Sequence, residues 1–356
     1  MDLARVTAIN DQLNDRYVAE NRHEDVVTYP KLITLTTTMR CNYRCWMCYQ
    51  QHFKGDMDWN IVERLRHVLP FVKTVQAFGG EPLLYGRLEE LCELSRENRC
   101  ELEMITNGSM LDERRRSMFV DNETSLIKVS LEAATQQTYE SIRGGDLFAT
   151  LGNLKALADE RSRKGRNKPQ LQINFVAMER NIRELPDLVR LAADHGVDRV
   201  LVLFMNAQKR EELARESLFL HQNLSDECMA AALDAGKRHG VDVTVPGFFG
   251  TPPSSFNEAE VDHTCHSPWK NCLIDMEGNV RFCCGSTPPL GNILKTDFDD
   301  MWFGETVRPF RKTVNTEKQP KSCQTCRVKS RNINDPFFHI RDRELAERLM
   351  AEKGLS

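Results

Sequence analysis

Leu32-Ile33-Thr34-Leu35-Thr36-Thr37-Thr38-Met39-Arg40-Cys41-Asn42-Tyr43-Arg44-Cys45-Trp46-Met47-Cys48 is the stretch on which the fold turns. Its first seven residues are apolar or β-branched and read as a short buried strand. Five more runs of this kind follow: Thr74 to Phe78, Glu101 to Ile105, Leu126 to Leu131, Leu171 to Ala177 and Arg199 to Phe204. Between them, apolar residues recur at helical spacing near 58–70, 86–98, 111–120, 135–165 (broken by Gly144-Gly145) and 182–195. Asp58, Asp112 and Asn181 stand where N-caps are expected, and Gly196 where a helix would end. Strand and helix in alternation predict an α/β fold with a parallel sheet built from right-handed crossovers, whose ligands bind at the carboxyl ends of the strands. Three thiols stand just past the first such end.

The alternation stops after Asn206. A charged stretch from Lys209 to Glu216, a helix over 225–239, a short strand over 241–245 and the segment Thr251-Pro252-Pro253-Ser254-Ser255 read as a connection. The expected organisation is an extension over 1–30, helical at most, a strand-helix unit over 31–206, a connecting region over 207–261, a small Cys-rich unit over 262–330, and a C-terminal helix over 331–356. The Cys-rich unit has few long periodic runs and cannot bury much core, so a metal is the natural substitute.

With 356 residues, about two domains at ~150 residues each are expected. Hydrophobic residues are 40% and charged residues 28%, as in an ordinary globular protein, which excludes disorder as the main state. Lys+Arg 48 against Asp+Glu 52 leaves −4, so no general basic field exists for nucleic acid or an anionic membrane. Apolar stretches such as Val200 to Met205 fall short of the ~18 residues of a spanning helix, and the first residues lack the apolar core of a signal peptide. A cytoplasmic location is expected, where the 12 cysteines stay reduced as metal ligands, catalytic groups or buried filler.

Cys41, Cys45 and Cys48 are spaced C-x3-C-x2-C, so three soft ligands converge from one loop, one short of a closed zinc or cluster site. A three-Cys zinc site or a chance spacing is the alternative. After the second strand comes Gly79-Gly80-Glu81-Pro82, where glycines let backbone approach a ligand and a carboxylate can accept from an ammonium. A capped turn is the bland reading. The third strand ends in Thr106-Asn107-Gly108, the fourth in Ser130-Leu131-Glu132, and Ile142-Arg143-Gly144-Gly145 follows.

Together these motifs resemble the radical S-adenosylmethionine (SAM) superfamily. The resemblance implies that Cys41, Cys45 and Cys48 hold a [4Fe–4S] cluster whose fourth iron chelates SAM. One electron then cleaves SAM to methionine and a 5′-deoxyadenosyl radical, which abstracts hydrogen from substrate. It further implies that Met47 lies against the adenine, that Gly79, Gly80 and Glu81 receive the SAM amino group, that Ser130, Glu132 and Asn107 are polar contacts, and that Arg143 pairs with the SAM carboxylate, which its fork suits. Val176 lies in the region of a further adenine contact.

The second cysteine group is Cys265, Cys272, Cys283, Cys284, Cys323 and Cys326. Glu277-Gly278-Asn279 reads as a hairpin turn between arms at 272–274 and 280–282, which would bring Cys265 and Cys283 together. The closing C-x2-C is used by zinc ribbons and iron–sulfur centres alike. The unit resembles the SPASM and twitch extensions of radical SAM enzymes. No Cys follows Cys326, so it looks like a twitch or single-cluster variant, with Cys265, Cys283, Cys323 and Cys326 as ligands of one auxiliary [4Fe–4S] cluster. Zinc remains the alternative, and so does Cys284 in place of Cys283. Cys92, Cys100 and Cys228 read as filler, and Cys272 or Cys284 as hydrogen-atom donors beside the auxiliary site.

The resulting expectation is a partial (β/α)6, TIM-like barrel followed by a small Cys-rich iron–sulfur domain, with two [4Fe–4S] clusters and SAM. Substrate oxidation assisted by the auxiliary cluster follows, on a sugar or aminocyclitol or on a peptide. The short 1–30 segment tilts the choice slightly toward a sugar-like molecule. Partners implied are that substrate and an electron donor such as flavodoxin or ferredoxin. Epimerisation or peptide maturation in the same superfamily, and a non-catalytic zinc- or cluster-stabilised binding protein, are the competing readings.

Overall fold

The period-2 runs all fold as strands, with ends within one residue of those expected. In the computed structural model they are β1 (Leu32–Thr38), β2 (Thr74–Gly79), β3 (Glu101–Thr106), β4 (Leu126–Ser130), β5 (Gln170–Ala177) and β6 (Arg199–Phe204). The structure describes all residues except 1, 23–25, 51–53, 255, 257–263, 285–287, 325, 327–331 and 356. Each strand pairs parallel with the next in chain order, so successive crossovers stack their helices on one face, the arrangement of a partial barrel.

Alternation explains which face each side chain takes. Ile33, Leu35, Val75, Ala77, Leu102, Met104, Ile127, Val129, Ile173 and Val202 are buried and share one core with the helices. Those helices include Leu88–Glu97, Glu113–Asp121, Leu147–Arg163 and Leu185–Asp194. The intervening residues Thr34, Gln76, Glu103, Lys128 and Asn174 are half-buried and line the inner face, where Lys128 Nζ meets Glu103 Oε2 at 2.6 Å. Asp58 and Asp112 cap their helices through backbone N–H groups of Asn60 and Arg115. Asn181 precedes a 3-10 turn, and its side chain accepts from Met178 N, not from that turn.

Two helices fall short of expectation. The one expected over 331–356 is helical, among the described residues, only over Pro336–His339 and Arg343–Lys353. The 58–70 pattern is α-helical only over Trp59–Glu63, and Leu69–Phe71 is a 3-10 turn. Ile61, Val62, Leu65 and Val68 are still buried, because i→i+3 bonds such as Val68 N to Leu65 O (2.8 Å) keep them on one side until Pro70.

Beyond β6 the sheet continues. β7 (Asp242–Thr244) joins β6 in parallel, after a helix over Gln222–His239. The expected hairpin forms from β8 (Asn271–Ile274) and β9 (Asn279–Arg281), with Gly278 in a left-handed conformation, and β10 (Gly291–Asn292) pairs beyond it. β8 adds in parallel to β1, Leu32 opposite Asn271 and Leu35 opposite Ile274. The Cys-rich unit is therefore continuous with the barrel sheet, which has ten strands in the order β10-β9-β8-β1-β2-β3-β4-β5-β6-β7.

The first helix, Leu3–Ala19, packs Tyr17 against Trp269 and Val314 of the Cys-rich unit. Trp269 Nε1 donates to Arg22 O and Trp302 Nε1 to Thr28 O. At the other end of the chain, Arg343–Lys353 returns to pack Leu345 and Leu349 beside Met205, Leu213 and Leu220.

Candidate functional site

The loop after β1 is held from several sides. Trp46 N donates to Ile142 O (2.8 Å) and Arg210 Nη1 to Trp46 O (3.0 Å), while the Arg180 guanidinium lies 3.9 Å over the Trp46 ring. Asn107 Nδ2 donates to Asn42 Oδ1, and Asn42 Nδ2 to Ser109 Oγ. Asn107 thus braces the thiol loop. Tyr43 runs under Gly145, where an added Cβ would meet its hydroxyl at 2.3 Å.

Cys41, Cys45 and Cys48 lie close enough for their negative charges to oppose one another. Burial pushes the Cys41 and Cys45 thiols up from their ordinary value, so a metal is what would deprotonate them. For Cys45 the Arg143 guanidinium works the other way, with Nη1 3.6 Å from Sγ. The other two donors of that fork, Nε and Nη2, both go to the fully buried Glu132 carboxylate. Arg143, for which the resemblance implies a SAM carboxylate contact, thus meets Glu132 and a thiol. The reason is local: Glu132 ends the β4 turn, and Arg143 is in the last turn of the helix Gln136–Arg143.

Gly79 and Gly80 form a backbone cradle. A Cβ on Gly79 would come 2.0 Å from Thr38 O, and one on Gly80 2.4 Å from Arg40 O, so only glycine lets β2 approach the thiol loop this closely. Glu81 is fully buried. Its oxygens accept from Thr106 Oγ1 (2.6 Å), Asn107 N (2.7 Å) and Leu83 N (3.1 Å), while burial raises its carboxyl. This side chain staples the β2 and β3 turns together, a use the motif did not reveal. Ser130 stands at the inner carboxyl end of β4, opposite Asn174. Met47 and Val176 each pack against the cluster that holds Met178 and Met205.

At the second group, Cys265 senses both Cys283 and Cys326, and Cys323 joins Cys265 around Trp269 and Val314. Asn315 clamps Cys265 at both backbone groups, through Cys265 N (2.8 Å) and Cys265 O (3.1 Å). Cys326 N closes the C-x2-C turn on Cys323 O. Cys284 is exposed and lies near Arg341, Cys326 and, across the interface, Tyr49 of the first loop. Cys272 is sealed in β8, its thiol raised by burial alone, so it reaches no substrate. Burial likewise lifts Cys92 and Cys100 to about 12.

The donor sets fit iron–sulfur clusters. Buried Cys45 and half-buried Cys41 and Cys48 beside a glycine cradle would leave one corner of a cube open, and the four half-buried thiols Cys265, Cys283, Cys323 and Cys326 would supply a full set of four. Among the described residues no three His, Cys, Asp or Glu converge on a single-ion site. A cube spreads its thiolates over different irons and requires no such convergence. A cavity of about 400 Å3 lined by Glu179, Arg215, Glu216, Leu220, His221 and Glu352 contains none of these thiols.

Two family models match the chain. Residues 35–192 match the Radical SAM superfamily, and residues 265–327 match SPASM, an iron-sulfur cluster-binding domain. The chain is 29% identical over 329 residues to the tungsten-containing aldehyde ferredoxin oxidoreductase cofactor-modifying protein of Pyrococcus furiosus, covering 84% of this chain and 88% of that one. A probable GTP 3′,8-cyclase of Methanocaldococcus jannaschii is 24% identical over 181 residues, 49% of this chain and 58% of its own. Among solved structures, Streptococcus suis SuiB bound to S-adenosylmethionine aligns with TM-score 0.64 at 16% identity, over 89% of this chain and 75% of that one. AnSMEcpe with bound AdoMet and Cp18Cys peptide aligns with TM-score 0.60 at 17% identity, over 91% and 99%. At such identities these structures establish a shared fold.

Proposed function

Because this chain carries a radical SAM domain followed by a SPASM iron–sulfur domain, we propose that it is an enzyme that cleaves SAM reductively and oxidises a peptide or small molecule. A [4Fe–4S] cluster with SAM supplies, when bound, the electron and the 5′-deoxyadenosyl radical that removes a hydrogen atom from substrate. The observation that carries the reading is that Cys41, Cys45 and Cys48 share the loop after the carboxyl end of β1, whose backbone at Thr38 and Arg40 is approached closely by Gly79 and Gly80.

In this reading Cys41, Cys45 and Cys48 hold the SAM-binding cluster, and Cys265, Cys283, Cys323 and Cys326 the auxiliary one. Gly79 and Gly80 offer backbone to the SAM amino group, Ser130 a hydroxyl beside it, and Met47 an apolar surface for the adenine. Glu81 and Asn107 act behind them by fixing the turns. Substrate then faces the polar inner wall of Gln76, Glu103, Lys128 and Asn174, so a substrate with its own polar groups suits the site. A peptide is favoured over a sugar: SuiB has been solved with its precursor peptide SuiA and anSMEcpe with Cys-containing peptides, and both overlay most of this chain.

The test is anaerobic reconstitution. The protein should take up about eight irons, the sum of two four-iron cubes, and should form 5′-deoxyadenosine from SAM with a strong reductant. Replacing Cys41, Cys45 and Cys48 with Ala should abolish that product. Bound zinc in place of iron, or no SAM cleavage by protein that holds both cubes, overturns the reading.

A further inference from the structure

The Glu132–Arg143 pair touches a thiol of the first group, that of Cys45. Both members are buried, Glu132 at 0% and Arg143 at 9% exposure. Such pairs contribute little net stability, because desolvating two charges costs about as much as their attraction returns. Here the fork has a direction. Nε and Nη2 face the carboxylate, and Nη1 projects past it to Cys45 Sγ at 3.6 Å. The sulfur therefore meets the positive end of the pair first, and the carboxylate only behind the width of a guanidinium. Since charge interaction falls with distance, the field at Sγ is net positive. The position is also held: Arg143 ends its helix at Gly144, and Glu132 O accepts from Asn181 Nδ2 at 3.0 Å.

We propose that Arg143, held in place by Glu132, donates an N–H···S hydrogen bond to Cys45 and thereby raises the reduction potential of the cluster bound there. Hydrogen bonds and positive charge at a ligand sulfur favour the more negative, reduced cluster. Arg143 is in this sense a positioning and tuning residue. The inference rests on Cys45 being a cluster ligand, as in the reading above, and it assigns Arg143 to sulfur, where the family resemblance pointed to the SAM carboxylate.

The experiment is a redox titration of anaerobically reconstituted protein, followed through the paramagnetic signal that SAM alters. It compares the wild type with the double variant Glu132→Gln/Arg143→Gln, which removes both charges without stranding either. The double variant should keep its iron, bind SAM within about twofold of the wild type, and show a more negative potential for that signal. An unchanged potential overturns the inference, as does a loss of SAM binding at unchanged potential. If the double variant loses iron, Arg143→Lys decides. A single ammonium cannot hold both carboxylate oxygens and also reach Sγ, so its potential should fall part-way, and no fall overturns the inference. A wild type without a cluster would instead overturn the functional reading, so the two failures are distinguishable.

Discussion

Gly144 and Gly145 are adjacent and required for different reasons. Gly144 takes φ +72° to end its helix, with open space around it, whereas Gly145 leaves room for the Tyr43 ring beneath the thiol loop. Gly144→Ala should cost about 1–2 kcal/mol for the left-handed backbone and leave iron uptake unchanged. Gly145→Ala should cost about 1–3 kcal/mol by overpacking and also displace Tyr43, lowering iron uptake by half or more. Urea titration and iron analysis of the two variants separate these effects. The same residue scale shows where motif reading runs out. Glu81 was legible as important from Gly79-Gly80-Glu81-Pro82. Its fully buried staple to Thr106 and Asn107 was not, because those donors lie 25 or more residues away in sequence.

Among elements, β8 is the one whose placement alters the picture. Its four residues pair with β1 and so cover what would otherwise be an open sheet edge, a template for unwanted pairing. A chain ending at residue 261 should melt at lower temperature and self-associate. Size-exclusion chromatography and thermal unfolding would show this, and a monomer with unchanged melting would contradict it. Hairpin and strand were readable from Gly278 and the alternating arms. Their parallel docking on β1 was not, since four residues carry too little pattern to name a partner some 240 positions earlier.

For the whole molecule, two thiol groups sit on one sheet. The loop carrying Cys48 and Tyr49 approaches Cys284, and the first helix closes on Trp269 beside Cys265. If the closed site serves as an electron acceptor for a substrate radical, Cys323→Ala/Cys326→Ala should bind about four irons in place of about eight. It should still form 5′-deoxyadenosine, yet cease to give oxidised product. Oxidation undiminished in that variant would remove the auxiliary site from the reaction. No helix among the described residues is long and apolar enough to cross a membrane.

Local information determined the six parallel strands, the glycine turns and the three-thiol loop. Each is written in period, spacing or residue type within a few positions, and backbone sterics enforce it without distant help. Tertiary structure alone decided that Arg143 meets Glu132 and Cys45, that Glu81 faces inward, that Cys272 is sealed while Cys284 is exposed, and that the Cys-rich unit extends the barrel. Those outcomes depend on which buried charges find partners and which edges find strands. That is settled only when distant segments compete for the same space.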